Sequence, residues 1–353
     1  MFILLLLGFV RAQSGVSDSI PATNNQSVPI TENLNNTIVS LFPATCSPPI
    51  DSITLIHSHE ALTAFASLSC SSHFPASLSL SGNINSTTAF QNITSIAGSL
   101  RIIGTSLPNL IGFSSLTTIG SHLVIQDNRL LVATYGFSSL TSIQGSLYLL
   151  YNLKLESLTG FGNLISIGQS NATTGLFISG NKLLNSISGF KSIRSIGPQL
   201  LLNDLPALNT LKGLPPTNSQ LTNVTVTFMS SLRSLSPLST FQSHPNGTSI
   251  TISNNKYLPS LAGLDNLKQI SSFTLTNNPS LTDISTLKTS TFNLPIQIQN
   301  NNRLCDVIGL DKINGAVVNN QCTFYPDDTL FSGTIHLYSY LYWSLVIGYF
   351  IHF

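Results

Sequence analysis

Charge is what this sequence has least of. Asp, Glu, Lys and Arg make up only 8% of its 353 residues, about a third of the share in an ordinary soluble domain. The formal net charge is +1, which removes the electrostatic case for nucleic acid or an anionic membrane surface as a partner. Motifs of familiar chemistry are missing too. No GxSxG, P-loop or GxGxxG occurs, so no nucleotide cofactor is indicated. No CxxC supports zinc. The single tryptophan, Trp343, lies in a terminal apolar run, so Trp platforms for sugars are lacking in the body of the chain.

Carboxylates are present but scattered. Glycoside chemistry needs two of them about 5–9.5 Å apart. The acids of the central chain are Asp127, Glu156, Asp204, Asp265, Asp283, Asp306 and Asp311. Asp127 and Asp204 share a repeat position about three repeats apart, and the others fall in different columns, so no close pair emerges. His57 and His59, one residue apart, would share one face of a strand, with Glu60 beside them. No third ligand is evident, so the expectation is a chain with no metal, no cofactor and no catalytic residues.

Serine, threonine and asparagine take the place of charge. Seven N-x-[ST] sequons occur, at Asn25, Asn35, Asn85, Asn92, Asn171, Asn223 and Asn246, and such sites are glycosylated on passage through the secretory pathway. Residues 2–10, FILLLLGFV, followed by Val10-Arg-Ala12, read as a signal peptide over 1–12. Residues 13–45, polar and proline-containing with two sequons, read as a flexible glycosylated arm. Residues 335–353 form an apolar tail behind Ser332-Gly-Thr334, which reads as a GPI signal with attachment at Ser332 and a short stalk over 323–334. A transmembrane helix is the alternative. No Lys or Arg follows Lys312, so no basic cytoplasmic flank supports that helix. The expected location is the cell surface, membrane-anchored or wall-linked. In an oxidising compartment the four cysteines are expected to pair as Cys46–Cys70 and Cys305–Cys322.

A repeat dominates the middle of the chain. GFSSLTTIG at Gly112 returns as GFSSLTSIQ at Gly136, and the register continues through Gly160-Phe161, Gly189-Phe190, Gly213-Leu214, Gly263-Leu264 and Gly309-Leu310, with weaker members at Phe90, Pro237-Leu238 and Thr286-Leu287 filling the gaps. The period is 22 to 26 residues, lengthened to 29 at the Asn171 segment. A fixed period in this range marks a solenoid. Triplets such as Leu123-Val-Ile125, Leu147-Tyr-Leu149 and Leu176-Phe-Ile178 alternate inward and outward, and a second short strand, SLTTI or NLISI, follows each Gly-Phe pair. No long helical stripe interrupts them. The reading is all-β: a solenoid of about ten coils of ~24 residues over 75–322, whose inward Leu and Ile build a continuous core. The aromatic of each Gly-Phe pair is expected in a corner, with the glycine supplying backbone freedom. An N-terminal disulfide cap is expected over 46–74, and the Cys305–Cys322 pair closes the other end.

Two columns stand out. Asn128, Asn152, Asn181, Asn255, Asn278 and Asn301 recur at one turn, with Thr105 before them and Leu205 and Met229 breaking the series. Turn asparagines bond to backbone groups left unpaired by the bend, so this column reads as a structural ladder. The outward middle residues of the first strand run Arg101, Val124, Tyr148, Phe177, Leu201, Thr225, Thr251, Thr274, Gln297. With Leu150 alongside, Val124, Tyr148, Phe177 and Leu201 would make an apolar partner-binding strip. The Thr-rich remainder could lie against glycan.

The unit GSLxIxxNxxLxxLxGFxxLxxI, as from Gly145-Ser-Leu-Tyr-Leu onward, resembles the receptor L-domain, the leucine-rich right-handed β-helix of insulin- and EGF-type receptor lobes. The whole plan resembles fungal GPI-anchored cell-wall proteins of the sporulation-specific type. The resemblance covers about residues 46–322. It implies a non-catalytic structural or adhesive role at the cell surface, with cell-wall glycan or a surface protein as partner. The alternative it leaves is a ligand-binding ectodomain related to receptor L lobes without its own signalling domain; a β-helical glycan-active enzyme is the third reading, against which the scattered carboxylates speak.

Overall fold

The computed structural model describes residues 39–40, 48, 52–68, 72–168, 173–214, 219–320 and 322. Its main feature is one long parallel sheet. The strands run in chain order Val39–Ser40, Ile53–Ile56, Ser77–Ser81, Leu100–Ile103, Leu123–Gln126, Leu147–Leu150, Gly175–Ser179, Gln199–Asn203, Asn223–Thr227, Thr248–Ser253, Gln269–Thr276, Ile296–Gln299 and Val317–Asn319, each bonded to the next. Register is one repeat per strand: Leu123 faces Leu147, Leu147 faces Leu176, and the file continues through Leu200, Val224, Ile250, Phe273 and Ile296. A second parallel sheet stacks the two-residue strands His73–Phe74, Ser95–Ile96, Thr118–Ile119, Ser142–Ile143 and Ser166–Ile167. The fold is therefore all-β, parallel and solenoid-like. Neighbours in such a stack are one repeat apart in sequence, so every strand buries its inward side chains on the previous and the next.

The sheet begins upstream of residue 75. Ile53–Ile56 pairs in parallel with Ser77–Ser81, and Val39–Ser40 pairs with Ile53 and Thr54. Among the described residues there is one α-helix, α1 (His59–Ser67), which starts at Ser58, whose Oγ accepts the Ala61 N–H at 3.1 Å. The helix buries Ala61, Leu62 and Phe65 against the first repeats. Phe65 is the bottom of a column of rings: Phe65 meets Phe90 at 5.1 Å, and Phe90, Phe113, Phe137 and Phe161 follow at 5.1, 5.8 and 5.4 Å with planes within 11°. Phe190 continues it at 5.6 Å. Leucine takes over the column at Leu238 and Leu287, each closing a 3₁₀ turn as the phenylalanines do.

The Gly-Phe pairs sit on these 3₁₀ turns, which sequence periodicity does not announce. The expected role of their glycines needs correcting. Gly112, Gly136, Gly160 and Gly189 do not have positive φ. What they supply is space: a Cβ there would stand 1.5–1.6 Å from the carbonyl oxygen of Thr87, Leu110, Thr134 or Leu158 in the preceding repeat. Only Gly213 and Gly263, where leucine has replaced phenylalanine, combine that crowding with φ of +118° and +112°.

Candidate functional site

The six asparagines of the column are fully buried and bonded in two runs. Asn128 donates from Nδ2 to Ile102 O at 2.9 Å and to Asn152 Oδ1 at 3.0 Å, while that same Oδ1 accepts the Asn128 N–H at 3.1 Å. Asn152 repeats the pattern with Ile125 O and Asn181 Oδ1. Each amide thus satisfies a backbone carbonyl, a backbone N–H and the next amide, groups that would otherwise be buried without partners. A second run joins Met229 N–H, Asn255, Asn278 and Asn301 in the same way. Asn320, which the repeat period does not single out, ends it: its Oδ1 accepts Asn301 N–H at 2.8 Å. It follows Asn301 by 19 residues rather than the 23 that separate Asn278 from Asn301, so spacing hides it. Where Leu205 and Met229 break the column, a substitute bridge forms two residues earlier. Asn203 Nδ2 donates to Ser179 Oγ at 2.9 Å, and Thr227 Oγ1 donates to Asn203 Oδ1 at 2.6 Å.

Immediately before the ladder lies a column with left-handed backbone. Gly104, Asp127, Tyr151, Gly180, Asp204, Phe228, Asn254, Asn277 and Asn300 have φ between +54° and +69°. The N–H of each donates to a carbonyl of the next strand at 2.9–3.2 Å, so the bend is the same throughout. Gly, Asn and Asp tolerate this conformation, whereas other residues bear about 1–2 kcal/mol of strain. Tyr151 and Phe228 are the exceptions. Both are half-buried, as are Asp127 and Asp204. The Tyr151 ring lies over Gly180, where a Cβ would stand 2.3 Å from its Cδ1. Burial raises the Tyr151 hydroxyl above its ordinary pKa; a hydrogen bond with Ser179 opposes this, and the charges of Asp204 and Asp127 add to it. Lys182 pairs with Asp204.

The expected apolar strip is assembled in register: Val124, Tyr148, Phe177 and Leu201 occupy successive strands, with Leu150 beside them. It is not open to solvent. Exposure runs from 0% at Leu150 to 9% at Leu201. The side chains form a second apolar cluster, separate from the core and flanked by Ile103 and Tyr151, with the Tyr148 and Phe177 rings stacked at 4.7 Å. The ring stack and these flanks contribute to that burial. Further along the same column Thr274 is half-buried and Gln297 exposed. At the near edge, burial lowers the Arg101 pKa to about 10. Burial, then Arg101, holds the His122 imidazole below its ordinary value, and its Nδ1 accepts the Ser146 N–H at 2.8 Å.

The remaining candidates lie apart. His59 and Glu60 belong to the first turn of α1, so the His57–Glu60 stretch is not the strand that would align its two imidazoles. Among the described residues no three His, Cys, Asp or Glu side chains gather as a metal site. Asn85, Asn92 and Asn246 are exposed, and Asn223 is half-buried within a main-sheet strand. Cys305 and Cys322 are disulfide-bonded with Cα atoms 5.2 Å apart. Cys46, Cys70, Asn25, Asn35, Asn171 and Ser332 lie outside the described residues. No helix among the described residues is long and apolar enough to cross a membrane. No protein-family model matches the chain, and no curated protein matches it in sequence.

Proposed function

We propose that this chain is a non-catalytic glycoprotein of the cell surface with a structural or adhesive role at the wall. In this reading the fold is a receptor-L-domain-like, right-handed, leucine-rich β-helix of about ten coils, closed by Cys46–Cys70 at one end and Cys305–Cys322 at the other. Residues 1–12 direct secretion, and the tail over 335–353 is exchanged for a lipid anchor at Ser332. The supporting observation is the placement of the sequons: Asn85, Asn92 and Asn246 all stand exposed on a surface poor in charge, where glycans supply solubility. The polar groups that sequence reading places in a column serve the backbone through the asparagine ladder and leave none of those amides for chemistry.

A second reading, a ligand-binding ectodomain, draws on the contiguous strip of Val124, Tyr148, Leu150, Phe177 and Leu201. A protein partner would need that strip uncovered. Both readings are tested on intact cells. Release of the chain by a phosphatidylinositol-specific lipase, with a mobility shift on glycosidase treatment, is the expected result. A chain that stays in the cytosolic fraction and shows no shift would remove both.

A further inference from the structure

The left-handed column uses Gly, Asp or Asn at every described member but two, and both exceptions are aromatic. We propose that Tyr151 and Phe228 are stacking platforms for a neutral polysaccharide chain lying along this edge of the solenoid, with Asp127 and Asp204 accepting hydrogen bonds from its hydroxyls. The site stands on geometry; only the source of the polysaccharide, a wall, rests on the surface reading above.

Strain is the first support. Nothing in the backbone asks for a ring at either position, since the same bend is made by asparagine at Asn254, Asn277 and Asn300. Residues held in such conformations cluster at functional sites. Room is the second: the strand beside Tyr151 carries Gly180, and any larger residue would displace the ring. Repetition is the third. Each aromatic has an aspartate one strand before it, Asp127 before Tyr151 and Asp204 before Phe228. A strand spacing of about 4.8 Å puts each carboxylate within reach of a hydroxyl on a sugar seated over the ring. The two pairs are three strands apart, about 14 Å, a span suited to a short run of sugars. Sugar rings offer apolar C–H faces to aromatics and hydroxyl donors to carboxylates, which is the chemistry this row presents. A cationic ligand fits less well, because Lys182 already neutralises Asp204.

The test uses the secreted full chain, incubated with insoluble β-1,3-glucan, chitin and cellulose in parallel arms, beside the double variant Tyr151→Asn/Phe228→Asn. Asparagine is the column's own residue, so the backbone strain it relieves is expected to offset the contact that Tyr151 makes with the apolar cluster, and the variant is expected to keep the wild-type Tm. Retention on whichever polysaccharide holds the wild type should fall about tenfold or more with two platforms removed. The proposal is overturned if the wild type binds none of the three, if the variant binds equally well, or if its Tm drops, which would give the rings a packing role. Retention that moderate salt abolishes would also overturn it in favour of an ionic partner. Lipase release from cells succeeds or fails independently of all these outcomes.

Discussion

At the residue scale, glycine does two different jobs in this chain. In the left-handed column, Gly104 and Gly180 answer a demand for positive φ that Asp and Asn meet nearly as well. In the Gly-Phe pairs the demand is for emptiness, because the preceding repeat's carbonyl occupies the place of a Cβ. The distinction predicts unlike outcomes for one substitution. Gly136→Ala must move backbone in two adjacent repeats and is expected to cost about 3 kcal/mol in urea unfolding. Gly162→Ala, where the nearest atom is 3.9 Å away and φ is −61°, should be neutral or stabilising by about 0.5 kcal/mol. Both glycines are plain in the sequence beside a Phe, yet periodicity cannot tell which is crowded. Crowding is set by an atom 26 residues away, Leu110 O against Gly136.

At the element scale, one repeat is held to the next by three columns: inward aliphatics, stacked rings and bonded amides. The aliphatic file was legible from alternation alone, since Leu123, Leu147 and Leu176 recur at both period two and the repeat length. The asparagines were legible as a column, but their partners were not, and Asn320 fell outside the period. The ring column is the element whose energetics can be isolated. Phe137 stacks on Phe113 and Phe161 and is fully buried. Phe137→Ala should therefore destabilise by about 4 kcal/mol in chemical denaturation. Phe137→Leu should cost distinctly less, because Leu238 and Leu287 fill the same position in later repeats. Equal losses for the two would mean that the 3₁₀ turn, rather than the volume inside it, requires the ring.

At the scale of the whole molecule, a stack in which each strand touches only its neighbours has a middle and two ends of unequal stability. Hydrogen exchange should find the amides of Leu147–Leu150 and Gly175–Ser179 protected longest. The strand Val317–Asn319 has, among the described residues, a neighbour on one side only and is tied down by Asn320 and by Cys305–Cys322. Reducing that disulfide, which closes a loop of about 17 residues worth about 3 kcal/mol by chain entropy, is expected to unprotect Val317–Asn319 first and to leave Leu147–Leu150 unchanged. Simultaneous loss of protection in both strands would show the stack to be a single cooperative unit.

Sequence alone determined the repeat, the parallel stacking it enforces and the identity of the inward residues, because burial recurs at a fixed interval and a chain cannot hide that rhythm. It also brought the apolar strip into one column. Whether that column meets water, which glycines are crowded, and that two aromatics sit on strained backbone were decided only by the tertiary structure. Those properties depend on atoms one repeat or more away in sequence, brought within a few ångströms by the coil.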